Sequence, residues 1–128
     1  MKAGDVFQLV GVADKHFWVI ISDPMIGPDH VLFVNFTTYD RFVDQTLVLT
    51  GDDHSSLSHR SCVNYPRARV ASDAQLELLR SSNRIVVHPD PASRELLEKL
   101  RAGAVRSRMI RNEHLQILQQ QGLLDSVE

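Results

Sequence analysis

The first 71 residues alternate between short apolar runs and polar or turn-forming residues, with no helical pattern between the runs. Runs of this kind, rich in Val, Ile, Phe and Thr, are typical of β-strands. Proline lacks an amide hydrogen, so Pro66 predicts an edge, a bulge or a break within the last run. The five predicted strands cover residues 5–12, 17–22, 30–37, 46–50 and 62–71.

The later part of the chain carries helical patterns. Ser72 followed by Gln75 matches a capping box, in which side chains and backbone at a helix N-terminus bond reciprocally. Asp90 before Pro91 predicts the start of a second helix, and Gly103 predicts its end. The other predicted elements are a short strand at residues 85–87 and a third helix at about residues 112–121, ended by Gly122.

Short strands joined by turns, without crossover helices, favour an antiparallel sheet that curls into a small barrel. The predicted fold class is therefore mainly β with C-terminal helices, an α+β protein. A chain of 128 residues has the length of one domain. We expect a single domain over 1–128, with a β-barrel core and one helix at 1–88 and a helical C-terminal extension at 89–128.

The composition excludes several classes of protein. The longest apolar run is the five residues 17–21, whereas a membrane-spanning helix needs roughly 20 apolar residues. The N-terminus lacks the apolar stretch of a secretory signal. A single cysteine, Cys62, excludes an intramolecular disulfide framework and is expected to be a small buried hydrophobic residue. These features predict a soluble, cytoplasmic protein with no membrane partner.

Charge is unevenly distributed along the chain, although the formal net charge is −2. Residues 1–59 carry three Lys or Arg against eight Asp, and residues 60–111 carry eleven Lys or Arg against five acidic residues. A basic segment of this kind points to an anionic partner such as nucleic acid. Arginines on solvated helix faces give the same pattern, so both interpretations stay open.

Histidine is the first residue type to consider, because it titrates near neutral pH and serves as acid, base or metal ligand. His54 and His59 share a polar loop with Asp52 and Asp53, a set that could surround a cation. The spacing matches no common zinc motif, and adjacent Asp residues are ordinary in loops. We therefore expect neither a metal nor another cofactor.

Two further groups of polar residues lie at predicted strand ends. His16 follows Lys15 directly at the mouth of the second strand, where an imidazole and a cation would face the end of the barrel. An exposed polar hairpin would give the same pattern. Thr37 and Thr38 end the third strand, where hydroxyls can bind a phosphate oxygen or stabilise developing charge, although threonine is also common in strands.

Five short motifs follow one another in a recognisable order. They are Gly4-Asp5-Val6, the strand at residues 16–23, Phe36-Thr37-Thr38, a Gly-containing loop and Ser-x-Val strand within residues 51–63, and a basic strand leading into a helix at residues 67–73. In this order, over about residues 4–80, the chain resembles the PemK/MazF-like toxin family. The resemblance implies a small SH3-like antiparallel barrel and a homodimer. It also implies a metal-independent endoribonuclease of a toxin–antitoxin system, which cleaves single-stranded RNA and is neutralised by an antitoxin protein.

The same resemblance suggests site residues. The catalytic arginine of the family falls at the position of His16, and its catalytic threonine or serine falls at Thr37. Metal-free RNA cleavage needs a base for the 2′-hydroxyl, an acid for the leaving oxygen, and donors or cations for the phosphate. The expected catalytic residues are His16 and Thr37, and the expected substrate-binding residues are Lys15, Thr38, Arg67 and Arg69.

Two other functions remain open. Because His16 stands where the family has arginine, the chain is alternatively a catalytically inactive PemK/MazF-like barrel that binds nucleic acid or a protein partner. The third hypothesis is a metal hydrolase built on His54 and His59.

Overall fold

The computed structural model describes residues 1–13 and 15–124 of the chain. Asp14, in the polar connection between the first two predicted strands, and residues 125–128 of the predicted extension lie outside the described residues. The strands are β1 (Val6–Leu9), β2 (Phe17–Ile20), β3 (Val31–Thr38), β4 (Val48–Leu49), β5 (Ser61–Val63), β6 (Arg69–Ala71) and β7 (Ile85–Val87). The α-helices are α1 (Asp73–Ser81), α2 (Arg94–Arg106) and α3 (Asn112–Gln120), and a 3-10 turn covers Tyr65–Arg67. Within the described ranges, no helix is long and apolar enough to span a membrane.

The strands form one antiparallel sheet in the order β4-β5-β3-β2-β1-β7, with β6 also paired to β3. β3 lies at the centre, because one of its edges pairs with β2 and the other pairs with both β5 and β6. This sheet with its three helices confirms the predicted α+β class. Within the described residues β4 and β7 end the sheet without pairing to each other, so closure into an SH3-like barrel stays a prediction.

The predicted break at Pro66 is confirmed. The run at residues 62–71 forms β5 and β6, and the 3-10 turn that contains Pro66 separates them. β5 pairs with the C-terminal part of β3 and β6 with its N-terminal part, so among the described strands Asn35 has no partner on this edge. The carbonyl of Asn35 accepts a 2.9 Å hydrogen bond from the amide of Asn64 instead. The gap in the ladder leaves room for a cleft beside Asn35.

Side chains alternate between the two faces of the sheet along each strand. Each face carries a cluster of buried residues. On one face, Val19 and Val34 belong to a core that includes Leu96 and Leu100 of α2 and Leu118 of α3. The opposite face carries a second cluster, made of Phe7, Trp18, Ile20, Val31, Phe33, Leu76 and Ile85. Helices α2 and α3, which belong to the predicted extension, therefore share a core with the sheet.

Helix α2 differs from the prediction at both ends. It begins after Ser93, whose Oγ accepts a 3.0 Å hydrogen bond from the amide of Leu96, and not at Asp90. It also continues past Gly103, which was predicted to lie beyond its end. A Cβ at Gly103 would collide with the hydroxyl of Tyr65, so this glycine serves close packing and not helix termination.

The other predicted helix boundaries are confirmed. The amide of Gln75 donates a 3.1 Å hydrogen bond to Ser72 Oγ, and the amide of Ser72 donates one of 2.9 Å to Gln75 Oε1. This reciprocal pair is the predicted capping box of α1. Gly122 follows the end of α3 with φ of +68°, a left-handed conformation that favours glycine.

Candidate functional site

A cleft with a volume of about 750 Å³ opens at the break between β5 and β6. Its walls come from distant parts of the chain: the end of β1, the start of β2, the middle of β3, the 3-10 turn, β6 and the start of α3. Its polar and aromatic side chains are His16, Trp18, Asn35, Asn64, Arg67, Arg69, Arg111 and His114. A cleft of this volume is in the usual range for ligand sites.

The alternation of the strands directs several of these side chains to one face. His16 and Trp18 are two residues apart, and Asn35 is the cross-strand partner of Trp18. Arg69 is the cross-strand partner of Phe33 on the other edge of β3. Cross-strand partners project from the same face of a sheet. As a result, the guanidinium carbon of Arg69 lies 4.9 Å from the centre of the Trp18 ring, a cation–π contact.

The cleft is positively charged. Arg67, Arg69 and Arg111 contribute guanidinium groups, and the described residues that line the cleft include no Asp or Glu. Arg111 pairs with Glu113 at 3.4 Å, but both side chains are about two-thirds exposed, and exposed pairs of this kind are weak. Guanidinium groups match the geometry of phosphate oxygens, so this cationic cleft suits a phosphate-bearing ligand.

Two residues that line the cationic cleft each carry a buried polar atom without a hydrogen-bond partner. These atoms are Asn35 Oδ1 and His114 Nδ1, and the other buried side-chain N and O atoms of the described residues are partnered. Asn35 is 4% exposed and His114 is 9% exposed. A buried polar group left unpaired costs about 1–3 kcal/mol, and folded proteins seldom retain one. Both residues line the same cleft, which therefore holds two residues with a polar atom that the described protein atoms leave unpaired.

The environment of His114 favours a neutral imidazole. Burial lowers the pKa of His114; the charge of Glu113 opposes this shift, and the charge of Arg111 adds to it. Arg111 occupies the N-cap position of α3 without a side-chain capping bond, and His114 lies three residues later in the first turn; both side chains line the cleft. An imidazole with a lowered pKa is neutral at pH 7 and is able to accept a proton.

Three of the six predicted site residues lie in the cationic cleft: His16, Arg67 and Arg69. His16 is half-buried, whereas the two arginines are exposed. The break at Pro66 positions both arginines, because the 3-10 turn carries Arg67 and β6 begins at Arg69. These three residues, which were predicted from the strand motifs, therefore lie together in one cleft.

The other three predicted residues, Lys15, Thr37 and Thr38, do not line the cleft. Lys15 is exposed. Thr38 Oγ1 lies 2.9 Å from Nε2 of His59, in a separate exposed contact. Thr37 pairs with β5, on the far side of the gap. The structure therefore does not bring the predicted catalytic pair, His16 and Thr37, together in this cleft.

Three cleft residues were not among the predictions: Asn35, Arg111 and His114. The last two belong to the helical extension, outside the segment that resembles the toxin family. The sequence feature that could have identified them is their spacing of three residues at the start of a predicted helix, since residues three apart on a helix share a face. Asn35 interrupts the apolar run at residues 30–37, and a polar residue in a buried run is itself a sign of a special role.

The loop at residues 51–59 uses its polar side chains for internal contacts. His54 is buried, and its Nε2 lies 2.8 Å from the carbonyl oxygen of Asp90. Asp53 pairs with Lys99 of α2 at 3.2 Å. In the described part of the chain, no group of three or more His, Cys, Asp or Glu is placed to hold a metal ion. These contacts fasten the loop to α2 and to the segment before it.

Cys62 is fully buried in β5. Burial raises the pKa of its thiol, partly opposed by a hydrogen bond from the backbone of Asp40. A buried thiol with a raised pKa is a poor nucleophile. Its position agrees with the predicted role as a small hydrophobic residue.

Comparison of the chain with protein-family models, with curated proteins and with solved structures finds no match. The resemblance to the PemK/MazF-like family therefore rests on the sequence motifs alone. The site is defined by its own geometry, a cationic cleft that holds two histidines and two residues with an unpartnered polar atom.

Proposed function

We propose that the chain is a metal-independent endoribonuclease of the PemK/MazF-like type, which cleaves single-stranded RNA in the cytoplasm and uses the cationic cleft as its active site. The observation that carries the proposal is the convergence of His16, Arg67 and Arg69 with Arg111 and His114 in one cleft. Cleavage of a phosphodiester requires groups that transfer protons and groups that neutralise the phosphate. Imidazoles and guanidiniums serve these two purposes.

The charges and the planar groups in the cleft support binding of single-stranded RNA. Arg67, Arg69 and Arg111 bind phosphate oxygens. The guanidinium carbon of Arg69 lies 4.9 Å from the centre of the Trp18 ring, a cation–π contact, and arginine planes also stack on unpaired bases. Unpaired RNA exposes both its phosphates and its base faces, whereas a duplex conceals the base faces.

The proposed cleavage needs two proton transfers. Neutral His114 takes the proton of the 2′-hydroxyl, whose oxygen attacks the adjacent phosphorus. The bond from phosphorus to the 5′-oxygen breaks, and His16, as the general acid, gives a proton to that leaving oxygen. The products are a 2′,3′-cyclic phosphate and a 5′-hydroxyl. Arg67 and Arg69 stabilise the negative charge that develops on the phosphoryl oxygens.

The test is cleavage of a mixed-sequence single-stranded RNA in EDTA by the wild-type protein and by His16→Ala, His114→Ala and His30→Ala. A positioned general acid or base typically contributes about 10²–10⁴-fold, so each cleft variant should lose at least about 100-fold in rate. His30 is an exposed histidine that does not line the cationic cleft, so His30→Ala should keep the wild-type rate. Wild-type rates in both cleft variants would remove these histidines from the mechanism, and an inactive wild-type protein would contradict the enzymatic proposal.

A catalytically inactive barrel that binds nucleic acid or a protein partner is the second candidate. It is favoured by the positions of Thr37 and Lys15 outside the cleft, and by histidine at position 16 where the family has arginine. This candidate predicts RNA binding without cleavage. Fluorescence anisotropy with labelled RNA tests it, since binding to phosphates weakens steeply as salt is added. No binding to RNA, to DNA or to a co-purified protein would count against it.

The family resemblance extends the proposal to barrel closure and assembly. We expect an SH3-like barrel, a homodimer and a cognate antitoxin protein, and the order of the five motifs supports all three. Sedimentation equilibrium gives the assembly directly, and a mass equal to a single chain would contradict the homodimer. Growth arrest on expression, relieved by co-expression of the product of an adjacent gene, would support the antitoxin.

A further inference from the structure

Asn35 occupies an unusual position for a polar residue. It lies at the centre of β3, beside the gap between β5 and β6, and its neighbours Val34 and Phe36 belong to the hydrophobic core. Its backbone carbonyl is satisfied by the amide of Asn64, but its side-chain Oδ1 has no partner among the described residues. The side chain is 4% exposed and lines the cationic cleft. A leucine of similar size would fill this position without burying an unpaired oxygen.

A phosphodiester group alone does not satisfy Asn35 Oδ1. A carbonyl oxygen accepts hydrogen bonds, and a phosphodiester anion also offers acceptors only. The partner of Oδ1 must therefore carry an N–H or O–H group. The arginines of the cleft require an anion, so a ligand that satisfies the whole cleft combines an anion with a hydrogen-bond donor.

We infer that Asn35 recognises a hydrogen-bond donor on a nucleotide whose phosphate is held by the cleft arginines. The inference rests on the proposed function and adds the residue that distinguishes a nucleotide from a phosphate. In RNA the available donors are the 2′-hydroxyl and the amino and imino groups of the bases. His114 Nδ1, the second unpartnered atom, provides another contact in the same cleft.

The variant Asn35→Leu separates recognition from structure. It keeps the approximate size of the side chain and removes the unpaired oxygen. If Asn35 serves ligand recognition, the ligand-free variant becomes more stable, because an unpaired buried polar group is destabilising. If Asn35 serves the fold, the same variant becomes less stable. The change in melting temperature thus has opposite signs for the two roles.

Binding of dimethyl phosphate, a phosphate diester without a hydrogen-bond donor, and of the methyl esters of the four ribonucleoside 3′-monophosphates, each measured by isothermal titration calorimetry, tests the inference. The wild-type protein should bind at least one nucleotide ester about tenfold more tightly than dimethyl phosphate, the effect of one good hydrogen bond. Asn35→Leu should bring the two affinities to within about twofold, leave the affinity for dimethyl phosphate unchanged and raise the melting temperature. Asn112→Leu, at an exposed asparagine that does not line the cleft, should keep the wild-type ratio.

The possible failures are distinguishable. Equal affinities for nucleotide ester and dimethyl phosphate in the wild-type protein would overturn the inference and leave anion binding by the cleft intact. A wild-type ratio in Asn35→Leu, or a lower melting temperature of that variant, would also overturn the inference alone. If neither dimethyl phosphate nor any nucleotide ester binds the wild-type protein, the inference and the proposed active site both fail.

Discussion

His114 is a buried imidazole in a cleft whose charged side chains are arginines. Its own helix contributes Arg111 and Glu113, and the other charged or titratable side chains that line the same cleft are His16, Arg67 and Arg69. Burial is the largest cause of its lowered pKa, so the neutral form is favoured while the cleft holds no anion. A bound phosphate would offset this effect by placing negative charge beside the ring.

The lowered pKa of His114 predicts a dependence of stability on pH. The unfolded chain restores the ordinary histidine pKa of 6.5, so below that pH the unfolded chain binds more protons than the folded protein. The free energy of unfolding is therefore unaffected by this residue above about pH 7, and it falls as the pH drops from there towards the folded pKa. Urea unfolding should show a smaller loss between pH 7 and pH 5 in His114→Gln than in the wild-type protein. His30→Gln, at an exposed position, is the control, and equal losses in His114→Gln and the wild type would contradict the prediction.

Helix α2 is fitted to the core through a glycine. Tyr65 is fully buried, and its hydroxyl donates a 2.7 Å hydrogen bond to the carbonyl oxygen of Leu100 in α2. Gly103, one turn later, leaves the space that the hydroxyl occupies. Glycine in a helix interior costs about 1 kcal/mol relative to alanine, so close packing of the tyrosine outweighs helix propensity here.

Gly103→Ala should therefore destabilise the protein although alanine is the better helix former. The added methyl group collides with the Tyr65 hydroxyl, and overpacking of a core typically costs about 1–3 kcal/mol. Chemical denaturation of Gly103→Ala, Tyr65→Phe and the double variant measures the coupling. Because Tyr65→Phe removes the colliding oxygen, the double variant should lose less stability than the sum of the single variants. Strict additivity would show that the two side chains do not compete for space.

Helix boundaries were predictable from the sequence where a few neighbouring residues determine them. The capping box of α1 and the glycine after α3 depend on a few neighbouring residues, and both predictions are confirmed. Asp90 was predicted as the N-cap of α2, but Ser93 caps this helix. Gly103 was predicted to end α2, but it lies within the helix and makes room for the Tyr65 hydroxyl. Sequence neighbours do not reveal the contact of Gly103 with Tyr65, since the two residues are far apart in the chain.

The residues of the candidate site were predictable where they lie within the segment that carries the five motifs. His16, Arg67 and Arg69 lie in the part of the chain that resembles the toxin family, and all three line the cleft. Arg111 and His114 line the cleft from the start of α3, a tertiary arrangement with no motif of its own. The cationic cleft is therefore a property of the whole molecule, in which the C-terminal extension completes a site begun by the strands.

The proposed binding of RNA in this cleft has a predicted dependence on salt. For single-stranded nucleic acid, the logarithm of the affinity falls with the logarithm of salt concentration by about 0.7 per neutralised phosphate. If Arg67, Arg69 and Arg111 each bind one phosphate, the slope should be near −2, and Arg111→Gln should reduce its magnitude by about 0.7. Anisotropy titrations at several salt concentrations measure these slopes, with Arg94→Gln as the control because that side chain is 94% exposed beside Glu98 on α2. An unchanged slope in Arg111→Gln would place the RNA on the strand side of the cleft alone, whereas the expected decrease makes the extension part of the binding surface.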